Sequence, residues 1–272
     1  MAQTVLITGS STGIGKATAK WFQAKGWNVI ATMRSPQKET ELTQLDNVLV
    51  TRLDVTDSDS IHAAVAEGLA KFGQIDALVN NAGYGAYGPL EAFPMENIRR
   101  QFDTNVIGLL EVTKAVLPHF RSQTSGVIVN ISSIGGKVTF PLGTLYHGTK
   151  FAVEGISESL SYELAPIGIK VKIVEPGAIA TDFAGRSFDF TNDESLEEYQ
   201  GVVNNLMGAF EGLLGEAAPA SLVAESIWNA VTDGTDTLRY LVGEDAKNWA
   251  ANRKSEEDQP FINGIKTQFG LT

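Results

Sequence analysis

The chain has 272 residues, a formal net charge of −11, 43% hydrophobic and 19% charged residues, and no cysteine. That length suits one large domain or two small ones and is ample for a substantial core, and the missing cysteines exclude disulfides, thiolate catalysis and Cys-ligated metals. The acidic balance argues against a nucleic-acid partner, because phosphate backbones are held by Lys and Arg.

Short apolar runs rich in β-branched residues alternate with longer amphipathic stretches. Strands are predicted at "TVLIT" (4–8), "NVIATM" (28–33), "VLVTRL" (48–53), "DALVN" (76–80), "GVIVNIS" (126–132), "KVKIVE" (170–175) and "LRYLV" (238–242). Helices are predicted near 14–25, 57–72, 95–121, 145–165 and 218–232, with a shorter one near 37–45. Pro118 is expected to kink or end its helix. This alternation predicts an α/β fold: one doubly wound Rossmann-type domain over 1–272, a parallel sheet of about seven strands with helices on both faces. Residues 183–216, mixed in Gly, Phe, Asp and Glu, read as a small helical lid, and a polar C-terminal extension follows from about 245.

His62, His119 and His147 show no metal-ligand spacing, so no metal is expected. No apolar run reaches the roughly 18 residues of a membrane-crossing helix. "MAQTVLITGSS" has no basic segment before its apolar stretch, which argues against a signal peptide and leaves the cytoplasm as the default location.

"TGSSTGIG" (8–15) follows the first strand and opens a helix. Gly9 permits a tight turn, Gly13 lets backbone approach a pyrophosphate, and Gly15 lets helix and strand pack closely. The helix N-terminus, with the backbone of Ile14, then faces the phosphates with unpaired N–H groups. For NAD, Asp or Glu is wanted at the end of the second strand to hold the ribose 2′-hydroxyl. Here Met33 and Arg34 stand there, with no acid before Glu39. A guanidinium pairs with a 2′-phosphate that a carboxylate would repel, so NADP(H) is the expected cofactor, with Ser11 a second phosphate ligand. Small or polar residues also end the other strands: Asp54–Val55, "NNAG" (80–83), Ser132–Ser133 and Pro176–Gly177.

"YHGTK" (146–150) puts Tyr146 and Lys150 four apart on one helix face. A hydride transfer to a carbonyl needs a proton for the developing alkoxide. A nearby cation would lower the tyrosine pKa toward that task. Chance alone can produce the spacing, so the pair gains meaning only from its company.

Taken together, TGxxxGxG at 8–15, "LDVTD" (53–57), "NNAG", "TNVIG" (104–108), Ser133, "YHGTK" and "PGAIAT" (176–181) resemble the short-chain dehydrogenase/reductase family. The likeness runs over about residues 4–182. "GPLEA" (88–92), "YHGTKFAVEG" and "EPG" further resemble the branch that includes 17β-hydroxysteroid and retinol dehydrogenases. The resemblance implies catalytic roles for Asn105, Ser133, Tyr146 and Lys150. Lys150 would also bond the nicotinamide ribose, and Asn105 would support a water-linked relay to it. Ser132 competes with Ser133, whose spacing to the tyrosine fits the family; Asn105 also reads as a satisfied polar core residue. Asp54 would bond adenine with Val55 against the ring, unless it caps the helix that follows. Asn81, Ala82 and Gly83 would line the adenosine ribose. Pro176, Gly177, Ile179 and Thr181 would wrap the nicotinamide, or form a Pro-Gly turn. Gly148-Thr149 departs from the family's usual Ala-Ser, with His147 beside it.

Substrate choice is expected from Tyr84, Tyr87, residues 141–145 and the lid, with Phe183, Phe188, Phe190, Leu206, Met207 and Phe210. That composition suggests an apolar carbonyl compound or alcohol. By family analogy the chain pairs into a homodimer or homotetramer through the helices holding 95–121 and 145–165. An epimerase or dehydratase of nucleotide sugars would want a longer chain and a TGxxGxxG loop. A catalytically silent NADP-binding regulator would tolerate loss of Ser133, Tyr146 or Lys150.

Overall fold

The computed structural model describes residues 2–181, 187–215 and 217–271, the stretch 210–215 as backbone only. Seven strands form one sheet: β1 (Thr4–Ile7), β2 (Asn28–Met33), β3 (Val48–Arg52), β4 (Ala77–Asn80), β5 (Gly126–Ile131), β6 (Ile169–Pro176) and β7 (Arg239–Val242). Every neighbouring pair is parallel, in the order β7-β6-β5-β4-β1-β2-β3. Parallel strands covered on both faces need continuous apolar runs, which is why "TVLI" and "ALVN" are buried end to end.

Helices α1 (Gly13–Ala24) and α7 (Ala220–Thr232) cover one face, where Phe22, Trp27 and Trp228 meet edge to face. Helices α2 (Ser58–Phe72), α4 (Gly108–Gln123) and α5 (Thr144–Leu164) cover the other with Ile61, Val112, Val116, Phe120 and Leu164. Burial of these apolar side chains, worth about 1.5–3 kcal/mol each, is the main force holding both layers to the sheet.

Two expectations need correction. Pro118 neither ends nor interrupts its helix, for α4 runs on to Gln123. Pro118 and Lys114 are exposed, so the carbonyl that loses its partner meets water, while Val116 and Phe120 pin the helix from below. The irregular turn lies earlier, a π-helical turn at Asp103–Ile107 between α3 (Met95–Phe102) and α4. The helix near 37–45 is instead two separate 3-10 turns, Pro36–Lys38 and Leu42–Gln44.

The chain after 245 is ordered, as α8 (Glu244–Ser255) and α9 (Asp258–Gln268). Ala246, Trp249, Phe261 and Ile265 from these helices pack with Ile134, Val138 and Phe140. Of the lid, Phe183 and the side chain of Phe210 lie outside the described residues. Phe188–Phe190 forms a short strand pairing in parallel with Gly85–Tyr87, an element the sequence reading lacks, and α6 (Glu197–Gly215) follows.

Candidate active site

The strand order reverses between β1 and β4, so a crevice opens beyond their carboxyl ends. The glycine loop and "NNAG" meet there. Gly9 and Gly13 have φ of +70° and +53°, a region costly for any residue with a Cβ. A Cβ on Gly15 would lie 2.3 Å from the Gly9 carbonyl oxygen. Asn81 braces the loop: its Nδ2 donates to the carbonyls of Thr8 (2.9 Å) and Gly9 (3.2 Å). The amides of Asn81 and Ala82 both donate to Thr8 Oγ1 at 3.0 Å.

This crevice fits a dinucleotide. Helix α1 starts behind Thr12 with no side-chain cap and no acid in its first turn. Its first N–H groups and dipole therefore remain for an anion. Ser11 and Arg34 are exposed beside it. Glu39, the first acid after β2, turns away: its Oε1 accepts from the amides of Glu41 (2.8 Å) and Leu42 (2.9 Å) and from Lys16 (3.2 Å).

Asp54 does not cap α2. Asp57 does, accepting the Ser60 amide at 3.2 Å, while Asp54 Oδ1 accepts from the amide and hydroxyl of Thr56 at 3.1 and 2.8 Å. Val55 is buried against Gly108, where a Cβ would come within 2.7 Å of it.

Residues 176–181 cross the same end of the sheet. Gly177 N–H donates to Val242 O at 2.9 Å, and Ile179–Ala180 pairs with Ala218–Pro219. Ala178 N–H donates to Asp245 Oδ2 at 2.7 Å. Thr181 closes onto the glycine loop, 3.3 Å from where a Gly13 Cβ would stand.

Ser133, Tyr146 and Lys150 come together above β5. The Tyr146 hydroxyl is hydrogen-bonded to that of Ser133, whose Oγ also accepts the Gly135 amide at 3.0 Å. Ser132 points into the interior, its Oγ buried without a partner beside Gly136. Lys150 Nζ donates to Ile131 O at 2.9 Å and lies 5.7 Å from the Tyr146 ring centroid. The expected lowering of the tyrosine pKa is corrected: burial pushes Tyr146 up, partly offset by the Ser133 bond. Burial also pulls Lys150 down to about 8.

Asn105 sits in the π turn, a device that recurs at functional sites. Its Oδ1 accepts the Tyr84 amide (3.1 Å), and its Nδ2 donates to Tyr84 O (2.9 Å) and Thr149 Oγ1 (3.1 Å). His147 is buried and neutral, its Nδ1 donating to Gly135 O at 2.9 Å and its Nε2 accepting the Phe140 amide at 3.0 Å. Among the described residues no group of His, Asp and Glu could hold a metal, and no helix is long and apolar enough to cross a membrane.

Tyr87, Leu142, Phe188 and Leu206 form an apolar cluster with Tyr146. The Tyr87 ring lies 5.4 Å from Tyr146 and 5.3 Å from Phe188, which stacks on Phe190 at 6.0 Å. Tyr84 is turned aside to Arg100 and Met207 is exposed, so neither joins this wall. Sequence reasoning missed its far side: Ile265, Phe269 and Leu271 belong to the same cluster. The i, i+4, i+8 spacing of Phe261, Ile265 and Phe269 carries that signal. It also missed the buried chain from Thr113 and Asn80 through Asn130 to Ser157, which ties β4 and β5 to α4 and α5.

The family model for short chain dehydrogenases matches residues 3–192. The chain belongs to this family. This short-chain dehydrogenase is 46% identical over 244 residues to an uncharacterized oxidoreductase of Schizosaccharomyces pombe, covering 88% of this chain and 100% of the relative. A short-chain dehydrogenase from Streptomyces avermitilis superposes with a TM-score of 0.83 at 34% identity, over 99% of this chain and 96% of the other. ElxO with NADP bound superposes at 0.73 and 29% identity, over 89% and 98%. The protein is an NAD(P)-binding oxidoreductase of the short-chain dehydrogenase/reductase family on a seven-stranded Rossmann-type fold.

Proposed function

We propose that this short-chain dehydrogenase interconverts a ketone or aldehyde and its alcohol on an apolar small molecule, with NADP(H) as its cofactor. The observation that carries the reading is the Tyr146–Ser133 hydroxyl pair beneath the apolar wall of Tyr87, Leu142 and Phe188. NADPH held in this crevice would supply the hydride that the carbonyl carbon takes up. Tyr146, held protonated by burial, then gives its proton to the oxygen that receives the C=O electron pair. Ser133 shares a hydrogen bond with that oxygen, which stabilises the developing alkoxide. Lys150 holds the nicotinamide ribose. Asn105, whose side chain braces the Tyr84 backbone against α5, supports a water-linked relay to Lys150.

The cofactor rests on Gly9, Ser11, Gly13, Ile14 and Gly15 at the phosphates and Arg34 at the 2′-phosphate. Asp54, Val55, Asn81, Ala82 and Gly83 surround the adenosine, and Pro176, Gly177, Ile179 and Thr181 the nicotinamide. Preference for NADP over NAD is supported by exposed Arg34 and by the engagement of Glu39 elsewhere. The aromatic wall also suits the likeness of "YHGTKFAVEG" to 17β-hydroxysteroid and retinol dehydrogenases. Exposed Phe102, Ile107, Phe151 and Tyr162 favour pairing of two copies through α3–α5, which sedimentation of a Phe151→Glu variant checks.

The test is NADPH consumption against a panel of ketones, aldehydes and steroids, with NADH alongside. Turnover of apolar carbonyls with NADPH is expected, and Tyr146→Phe should abolish it while sparing cofactor affinity. Equal activity with NADH overturns the NADP assignment. Tight NADPH binding with no turnover of any carbonyl points instead to a silent NADP-binding regulator.

A further inference from the structure

Behind the site lies a second buried cluster that the proposed reaction does not use. Lys150 on α5 is followed one helical turn later by Glu154, and both are buried. Glu154 faces Glu175 near the end of β6, which is 2% exposed. Two cations close the cluster. Arg239 Nε, from β7, lies 3.0 Å from Glu154 Oε2 and 3.4 Å from Glu175 Oε1. Lys137 Nζ, after the turn that holds Ser133, lies 3.6 and 3.8 Å from the same two oxygens. Glu158 takes the outer end of Arg239.

Oε1 of Glu154 and Oε1 of Glu175 are both buried without a hydrogen-bond donor. Two ionised carboxylates offer only acceptors, so their meeting leaves orphaned oxygens and like charges. One proton between them turns the repulsion into an O–H···O bond. Burial, reinforced by the Glu154 charge, raises Glu175 far above the usual carboxylate range, so the shared proton rests on Glu175, the carboxyl farther from both Arg239 and Lys137. On Lys150, the field of Glu154 opposes the penalty of burial.

We infer that Glu154 is the counter-charge of the buried Lys150 ammonium, and so a positioning residue for the reaction, while Glu175 carries the proton the two carboxyls share. An ammonium keeps N–H donors for a ribose after bonding Ile131 O, whereas a neutral amine has fewer and presents a lone pair. The functional half of this inference rests on the reading of Lys150 as the ribose ligand. Charged groups on every packed element belong to the balance: Lys137 beside the Ser133 turn, Glu154 and Glu158 on α5, Glu175 on β6 and Arg239 on β7.

The test is the NMR titration of ¹³C-labelled lysine in the whole protein, with the Lys150 signal identified by its loss in Lys150→Met. In Glu154→Gln the Lys150 midpoint should fall by about one pH unit. NADPH affinity at pH 7.5 should drop several-fold and recover at pH 6. Glu175→Gln should leave the midpoint unlowered. Glu154→Gln is expected to fold, because the carboxamide keeps the size of the side chain and Glu158 still holds Arg239; Glu154→Met serves as a second variant. An unmoved midpoint in either Glu154 variant, or an equal fall in Glu175→Gln, overturns the inference. A midpoint that moves while Lys150→Met keeps full NADPH affinity upholds the counter-charge but overturns Lys150 as a cofactor ligand.

Discussion

Asp245 Oδ2 accepts the amide hydrogen of Ala178 at 2.7 Å, tying the start of α8 to the 176–181 loop. A Cβ on Gly177 would stand 2.1 Å from that carboxylate oxygen, so the loop passes directly beneath it. A hydrogen bond to a charged acceptor contributes about 1.5–3 kcal/mol. If the loop wraps the nicotinamide, Asp245→Ala should weaken NADPH binding by roughly tenfold through loosening of the loop. Titration of NADPH fluorescence measures this, and unchanged affinity would separate the loop from the cofactor.

Gly15 and Gly155 both lie within helices and should answer oppositely to alanine. At Gly15 the new Cβ meets the Gly9 carbonyl oxygen at 2.3 Å and Asn81 Nδ2 at 2.6 Å, so the loop has to shift. Gly15→Ala should lower Tm and reduce NADPH affinity by on the order of a hundredfold. At Gly155 nothing lies within 4 Å, and alanine there should add about 0.5–1 kcal/mol of stability. Thermal melts of the two variants decide; a stable, cofactor-competent Gly15→Ala would contradict the close-approach argument.

His147 gives the fold a defined pH dependence. Burial holds its folded pKa at about 4 against an ordinary 6.5. Between those values the unfolded chain binds a proton that the folded chain refuses, so this contribution is full above pH 6.5 and is lost as pH falls toward 4. The size is on the order of 2–3 kcal/mol. Raised Glu175 acts with opposite sign, its contribution being lost as pH rises. The His147 effect is therefore read as a difference between chains. His147→Gln should cost several degrees of Tm at pH 7.5 and much less at pH 4.5. A gap that stays constant with pH would remove the histidine from the account.

The sheet was legible because parallel strands buried on both faces write themselves as unbroken apolar runs; the bounds of "NVIATM" match residue for residue. Tyr146, Ser133 and Lys150 were legible because strand ends and an i, i+4 helix face dictate where they point. What stayed hidden depends on side chains meeting across the fold. Pro118 looked like a stop because sequence does not reveal that its carbonyl partner faces water. Asn105 could not be placed without the π turn that aims it at Tyr84. Asp245 and Glu175 are ordinary acids in sequence, given meaning by Ala178 and Glu154 far away in the chain. The spacing of Tyr146 and Lys150 fixes a shared face, but not the burial that raises the tyrosine pKa.

Arg34 provides the sharpest test of the cofactor. It stands exposed just past β2, where an acid would otherwise hold an unphosphorylated ribose. Guanidinium–phosphate bonds are charge-assisted, each worth about 1.5–3 kcal/mol. Arg34→Ala should therefore weaken NADPH binding about 10- to 100-fold and leave NADH nearly unchanged. Glu39 should not step in as a ribose ligand, because its carboxylate is held by Lys16 and two backbone amides. Arg34→Asp, which restores an acid at the strand end, should invert the preference toward NADH. Comparing kcat/KM for both cofactors in the three proteins checks this, and a fall shared equally by NADPH and NADH would show that Arg34 does not read the 2′-phosphate.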